Sequence, residues 1–294
     1  MRVIEPKHNS KKSKERRIFL KLIKLTAVIM IISGTYAWYQ ILNNPSDSST
    51  SSYYGVDSDN TKSTTSAEVE GQQSQAPQLL SGDQYLDFYE SLTFPNTQPL
   101  DNPPTITGDK RADERIRKIA ESRGYQLRSV PILPIIKIDD DNLEEDDLLQ
   151  PKAYPAWREL KEKAEADGIN LVLTSAYRSI DRQRELFLGR LGDDISSRTD
   201  LIRVGMFDDE IIQTLYFTSP PGYSRHHTGY TIDLTCEGYN QPFEHTPCFE
   251  WLSQDNYQNA KNSGWIPSYP DGVDNQGPKP EPWEYVWVGK EVLR

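Results

Sequence analysis

The chain has 294 residues and a formal net charge of −11, enough length for one or two domains and an acidic balance that is unevenly spread. The first 24 residues hold nine Lys and Arg against two Glu, so the remainder carries −18. A body this acidic lacks the basic footprint needed to neutralise phosphates, which excludes nucleic acid as its partner.

The first predicted element is the apolar run Ile18–Leu42, IFLKLIKLTAVIMIISGTYAWYQIL. Lys21 and Lys24 can snorkel toward the basic tail of residues 1–17, leaving Leu25–Leu42 as a span of just sufficient length. Tyr36, Trp38 and Tyr39 fall at its far end, where amphipathic rings favour the interface, and no Lys or Arg follows until Lys62. The positive-inside rule keeps residues 1–17 in the cytoplasm. The expected product is a single-pass membrane protein, anchored over 18–42, with an extracytoplasmic body. A cleaved signal peptide is the competing interpretation, because the run is short and Thr35–Ala37 ends in a small residue. Export follows from both.

Residues 43–106 are expected to be a flexible linker. Up to about Gln78 the chain is rich in Ser, Thr, Asp, Gln and Gly and too poor in aliphatic residues to offset chain entropy. Leu79–Leu92 predicts a short amphipathic helix, and Phe94–Thr107 returns to a Pro- and Asn-rich link.

The compact domain is expected over 107–294. Asp109–Arg123 predicts a helix ended by Gly124, and Asp139–Asp147 a solvated acidic loop. Tyr154–Asp167 predicts a second helix with Trp157, Leu160 and Ala164 on one face. Ile169–Thr174 is a buried strand by its β-branched content. Helices follow from Asp181–Leu188 and Asp208–Tyr216, then a strand over Tyr230–Leu234 and a helix over Phe249–Asn262. Strands over Gly264–Ser268 and Trp283–Val288 close the domain. The expected fold is α+β: one domain with a small, mostly antiparallel sheet packed by helices, after a transmembrane helix and disordered linker. Cys236 and Cys248 allow two outcomes: a disulfide contributing roughly 3 kcal/mol, or two reduced thiols. A cysteine metal site is excluded by the lack of a second pair. Nothing in the sequence sets an oligomeric state.

Three stretches carry candidate chemistry. In Pro220–Thr235, PPGYSRHHTGYTIDLT, the spacing sets His226 at a loop end, Gly229 in a turn and Asp233 on the next strand. A His and a carboxylate joined by a short turn can ligate zinc, although a His bonded to a buried Asp is the commoner meaning of that pair alone. In Thr174–Phe187, TSAYRSIDRQRELF, Arg178 follows a strand and precedes a helix. Its planar fork can hold a carboxylate or a developing oxyanion there; pairing with a surface acid is the ordinary alternative. In Glu281–Gly289, EPWEYVWVG, Glu281 and Glu284 flank Pro282 and Trp283. Strand positions three apart face opposite ways, so Pro282 must break the pleat for both to reach one site; otherwise they are two solvated acids.

Together these stretches resemble the VanY-like D-alanyl-D-alanine carboxypeptidases, zinc peptidases acting on peptidoglycan. The markers are an S-x-Y-R-S segment (Ser175–Ser179, with Gln183 after it), an S-x-H-x-x-G-x-x-x-D segment (Ser224–Asp233) and a terminal E-P-W-H segment, here Glu281–Glu284. The resemblance implies zinc ligands at His226 and Asp233, a general base at Glu281 and an oxyanion-stabilising cation at Arg178. It also implies substrate contacts from Ser224, Gln183 and Tyr177. This sequence departs from the family at the third ligand, where Glu284 replaces His. Glutamate can ligate zinc, so the expected set is His226, Asp233 and Glu284 around Zn2+. Two carboxylates leave that site neutral, which implies weaker zinc affinity, altered metal preference or reduced activity. His227 and His245 are the other candidates for a third ligand. The implied function is removal of a C-terminal D-amino acid from peptidoglycan stem peptides. The alternative, motivated by Glu284, is a metal-free, non-catalytic protein that binds peptidoglycan or a partner on the same fold.

Overall fold

The structure, a computed structural model, describes residues 80–138, 148–192 and 194–293. The basic tail, the apolar run of 18–42, the linker up to residue 79 and the acidic loop of 139–147 lie outside the described residues. Among the described residues no helix is long and apolar enough to cross a membrane.

Packing begins well before residue 107. Helix α1 (Gly82–Ser91) opens on a reciprocal cap: Ser81 Oγ accepts from the Gln84 N–H at 3.3 Å, and Gln84 Oε1 accepts from the Ser81 N–H at 2.8 Å. Tyr85 and Tyr89, one turn apart, are 1% and 3% exposed and belong to the main core. Strand β1 (Thr97–Gln98) then pairs with β2 (Val130–Pro131). The segment expected to be linker therefore corrects to part of the body over residues 80–106, because two large aromatic side chains bury enough surface to hold a short helix down.

Helix α2 (Lys110–Ser122) is capped by Asp109, which accepts from the N–H groups of Arg111 and Ala112. A small ribbon of β3 (Ile136–Lys137) and β4 (Leu148–Leu149) precedes α3 (Ala153–Ala166), whose Trp157, Leu160 and Ala164 face the core as their spacing predicts. Strand β5 (Leu171–Ser175) leads into α4 (Ile180–Leu191), then α5 (Thr199–Val204) and α6 (Asp208–Leu215). A 3-10 turn over Arg225–Thr228 precedes β6 (Thr231–Cys236); α7 (Pro247–Lys261), β7 (Trp265–Tyr269) and β8 (Glu281–Trp287) complete the domain. The principal sheet has order β5-β6-β8-β7, with every pairing antiparallel. The α+β expectation holds, with α5 as an added short helix.

The helix expected over Phe249–Asn262 is not continuous. Gln254–Tyr257 leave helical geometry, and Asp255, Asn256 and Tyr257 have φ of 50°, 60° and 65°. The break turns Asn256 onto the start of the body: its Oδ1 accepts from the Leu80 N–H and its Nδ2 donates to the Leu80 carbonyl, both at 2.8 Å. The Tyr85 hydroxyl donates to the same side chain at 3.0 Å. Docking of α1 is what this strained turn supports.

Two apolar clusters flank the site. One packs α3 and α7 against the sheet through Trp157, Leu171, Ile232, Trp265 and Val286; the other joins α2, α4 and α6 through Ile116, Phe187 and Ile211. Cys236 and Cys248 form a disulfide that ties the end of β6 to the start of α7.

Candidate active site

Two departures from regular pairing build the site. Leu173 pairs with Leu234 but Ser175 with Asp233, so Thr174 is an extra residue in β5. Farther across, Pro267 pairs with Tyr285 but Tyr269 with Glu281, so three residues of β8 (Pro282–Glu284) stand against Ser268 alone. That irregularity answers the parity problem of Glu281 and Glu284. Both line one cleft of about 680 Å3, together with Arg178, Gln183, Ser224 and Asp233.

Ser179 Oγ accepts from the Arg182 N–H at 3.1 Å and caps α4, which sets Arg178 in the turn between β5 and that helix. Its guanidinium donates to Gln183 Oε1 and Ser175 Oγ at 3.0 Å each and to Asp233 Oδ2 at 3.4 Å. Gly229, at φ 74°, ends the Arg225–Thr228 turn in a left-handed conformation and sends the chain into β6. His226 is thereby held beside Asp233, and Asp233 beside its cross-strand partner Glu284.

The three ligand atoms of His226, Asp233 and Glu284 lie within 4.8 Å of one another. His226 Nε2 is 3.2 Å from Asp233 Oδ1 and 3.2 Å from Glu284 Oε2. Donors about 2.0–2.1 Å from a tetrahedral zinc are themselves about 3.4 Å apart, so the spacing suits that ion. His226 Nδ1 donates to the Ala176 carbonyl at 2.5 Å, which turns Nε2 toward the carboxylates, the usual orientation of a ligating imidazole. Glu284 is 4% exposed, and its Oε1 is buried without a hydrogen-bond partner, a vacancy that a cation would satisfy. One nitrogen and two carboxylate oxygens form a plausible donor set for zinc, and for harder divalent ions.

The electrostatics point the same way. Burial works against the His226 imidazolium, yet Asp233 and Glu284 outweigh it and raise its pKa to about 9. Without a metal, a proton on Nε2 supplies the positive charge that the carboxylates require. Glu284, despite its burial, is held below the usual carboxylate range by His226. Glu281 is driven well above that range by burial and by the Glu284 charge. One acid is thus poised to carry a proton beside another that stays ionised.

Other candidates fall elsewhere. His227 is fully buried, with Nδ1 donating to the Arg178 carbonyl at 2.6 Å and Nε2 accepting from the Gly222 N–H at 3.0 Å. Both nitrogens are used, and burial lowers its pKa to about 4; its role is to fix the Arg178 backbone. His245 is exposed and stands outside the metal cluster. Ser224 lines the cleft, whereas Tyr177 is not among the lining residues; its N–H donates to the Leu148 carbonyl at 2.9 Å.

Sequence reasoning missed Arg225, the neighbour of His226. It is 1% exposed, its guanidinium lying over the rings of Tyr89 (3.8 Å) and Tyr269 (4.1 Å), and it meets Glu90 at 3.4 Å. Glu90 also takes a bidentate pair from Arg128 at 2.8 and 2.9 Å. No local pattern marked Arg225, because its partner Glu90 lies 135 positions away. Tyr216, Phe217, Arg190 and Lys279 on the cleft wall carried no local pattern.

Comparison with known proteins gives a consistent picture. Residues 146–290 match the family model described as VanY, D-alanyl-D-alanine carboxypeptidase. A D-alanyl-D-alanine carboxypeptidase of Enterococcus faecalis (strain ATCC 700802 / V583) is 23% identical over 166 residues, covering 56% of this chain and 58% of the relative. A Bacillus subtilis (strain 168) protein named "Putative carboxypeptidase YodJ" is 23% identical over 237 residues, 79% of this chain and 80% of its own. The structure of VanYB in complex with D-alanine-D-alanine superposes with a TM-score of 0.39 and 22% identity, covering 55% of this chain and 84% of that one.

Proposed function

Residues 146–290 belong to the VanY family of D-alanyl-D-alanine carboxypeptidases, and from that premise we propose that this protein is a metal-dependent carboxypeptidase that removes a C-terminal D-amino acid from peptidoglycan stem peptides. The observation that carries the proposal is the convergence of His226, Asp233 and Glu284 within 4.8 Å, in a cleft also lined by Glu281 and Arg178.

His226, Asp233 and Glu284 would hold the ion, and zinc bound there supplies Lewis acidity toward water and the scissile carbonyl. Glu281 takes the proton of the attacking water and returns it to the leaving amine; burial and the Glu284 charge raise its pKa above the usual carboxylate range, which strengthens it as a proton acceptor. Arg178, braced by Gln183 and Ser175, presents its guanidinium to the oxyanion that develops on the carbonyl oxygen. Two carboxylate ligands leave less net positive charge than one, so slow turnover is expected.

We further place the protein at a bacterial cytoplasmic membrane, with its C-terminal domain outside. The apolar run of 18–42 supports this, as does the Cys236–Cys248 disulfide, which suits an oxidising compartment.

The test is mass spectrometry of stem pentapeptides and tetrapeptides incubated with zinc-loaded protein. Release of a terminal D-amino acid, lost in Glu281→Gln, is the expected result. No release from any stem peptide by protein that holds stoichiometric metal would overturn the enzyme and leave the binding role.

A further inference from the structure

Gln183, which the family resemblance assigns to the substrate's chain end, is already committed within the protein. It is 1% exposed; its Oε1 accepts from Arg178 at 3.0 Å and its Nε2 donates to the Ser219 carbonyl at 2.6 Å. Both ends of the amide are used in holding Arg178. A carboxypeptidase must nonetheless recognise an anion, because a free carboxylate is what distinguishes a chain end from an internal bond.

The same cleft offers two cations that carry no acid. Arg190, in the last turn of α4, is exposed and donates through Nη1 to the Phe217 carbonyl at 2.6 Å and to Thr218 Oγ1. Its Nη2 and Nε make no hydrogen bond among the described residues, so one edge of the guanidinium fork is open. The Lys279 ammonium lies 4.6 Å from the Tyr216 ring centroid and 5.3 Å from that of Phe217. The Lys279 N–H donates to the Tyr216 carbonyl at 2.9 Å, which fixes the base of its stem. Neither cation forms an ion pair among the described residues, in a protein with 44 acidic residues against 33 basic ones. The cleft-lining carboxylates are Asp233, Glu281 and Glu284 of the candidate metal site and the exposed Glu244.

We propose that Arg190 and Lys279 form a carboxylate-binding subsite that reads the peptide substrate, supplying the positive charge that the buried, uncharged Gln183 does not. The proposal rests on the carboxypeptidase function above and adds the residues that set its specificity. The Arg190 fork takes the carboxylate in a bidentate pair, and Lys279 supplies a second charge across the Tyr216–Phe217 surface. Two carboxylates of a stem peptide share this chemistry: the C-terminal one on the leaving residue, and the free one on a γ-linked glutamate retained in the product.

Calorimetric titration of the full-length, zinc-loaded Glu281→Gln protein separates them. Three peptides are compared: L-Ala-γ-D-Glu-L-Lys-D-Ala-D-Ala, its C-terminal amide, and the form amidated at the γ-linked glutamate. One amide should bind at least about tenfold more weakly, and which one identifies the carboxylate. Adding Arg190→Gln and Lys279→Gln should cost a similar factor with the parent peptide and abolish discrimination against that amide. Arg190→Lys, which keeps the charge without the fork, should recover part of it. Equal binding of all three peptides, unchanged affinity in the double variant, or no binding at all overturns the subsite. D-Ala release by the zinc-loaded protein with Glu281 intact is measured in parallel. Discrimination without release would leave the subsite standing and remove the carboxypeptidase function; release without discrimination would do the reverse.

Discussion

Asp233 and Glu284 are direct register partners across the β6–β8 ladder, and each meets the same nitrogen, His226 Nε2, at 3.2 Å. Cross-strand pairing normally penalises two like charges. Here His226 stands between them, its pKa raised to about 9 by the two carboxylates.

Removal of either the imidazole or the Glu284 carboxylate should therefore release a bound zinc ion. His226→Ala and Glu284→Ala are expected to lose zinc on dialysis, while the wild-type chain retains it, as measured by inductively coupled plasma mass spectrometry. Glu284→His should bind zinc more tightly and raise kcat/KM, because it restores one unit of positive charge to the site. Zinc retained at full stoichiometry in Glu284→Ala would exclude Glu284 as a ligand.

Glu281→Gln should lower kcat by about 10^2- to 10^4-fold while leaving metal content intact. A parallel loss of metal would assign Glu281 to the ligand set instead.

Arg178→Ala should lower kcat by about 10^2- to 10^3-fold with a smaller change in KM, the signature of an interaction made mainly in the transition state. Gln183→Ala should act in the same direction through the orientation of Arg178, since its Oε1 accepts from that guanidinium. An effect confined to KM would place Arg178 in ground-state binding.

The Cys236–Cys248 bond closes a separation of 12 residues, and the double serine variant should lose roughly 3 kcal/mol in urea unfolding. Reductant should weaken the wild-type protein toward the variant and leave the variant unchanged.

Glu90 provides a pH dependence. Burial alone would raise its pKa, but the guanidinium groups of Arg128 and Arg225 outweigh this and hold it below its ordinary 4.5. A carboxylate depressed in the folded state stabilises fully above its unfolded pKa and ceases to do so as pH falls through the folded value. Glu90→Gln should cost about 3 kcal/mol at pH 7, because it leaves two arginines without their anion. Thermal melts of variant and wild type should converge as the pH drops below the carboxylate range. A constant difference down to pH 2 would show that packing, rather than charge, accounts for the loss.

Much of the site was legible because its chemistry is local. Ser224–Asp233 is one turn and one strand, and Ser175–Gln183 is one strand end and one capped helix start. What the sequence could not show was how Glu281 and Glu284 reach the same cleft. Their three-residue spacing argues for opposite faces, and only the uneven pairing against Pro267–Tyr269 reverses that. Gln183 illustrates a second limit: the motif gave the residue, but its commitment to Arg178 and Ser219 depends on backbone 36 positions away. Low aliphatic content argued for a linker only up to about Gln78, and Leu79–Leu92 read as a short amphipathic helix; that its Tyr85 and Tyr89 are buried in the main core is what composition averages do not register.

The position of Glu90 makes the active site sensitive to where the chain is cut. A cleavage before Leu80 would free the body with α1 still docked through Asn256. One after Leu92 would carry away Glu90 and Tyr89, leaving Arg225 buried beside His226 with neither its counter-ion nor one of its two rings. Proteolysis on one side of α1 or the other would thus leave the surroundings of His226 intact or strip them, depending on about a dozen residues of chain.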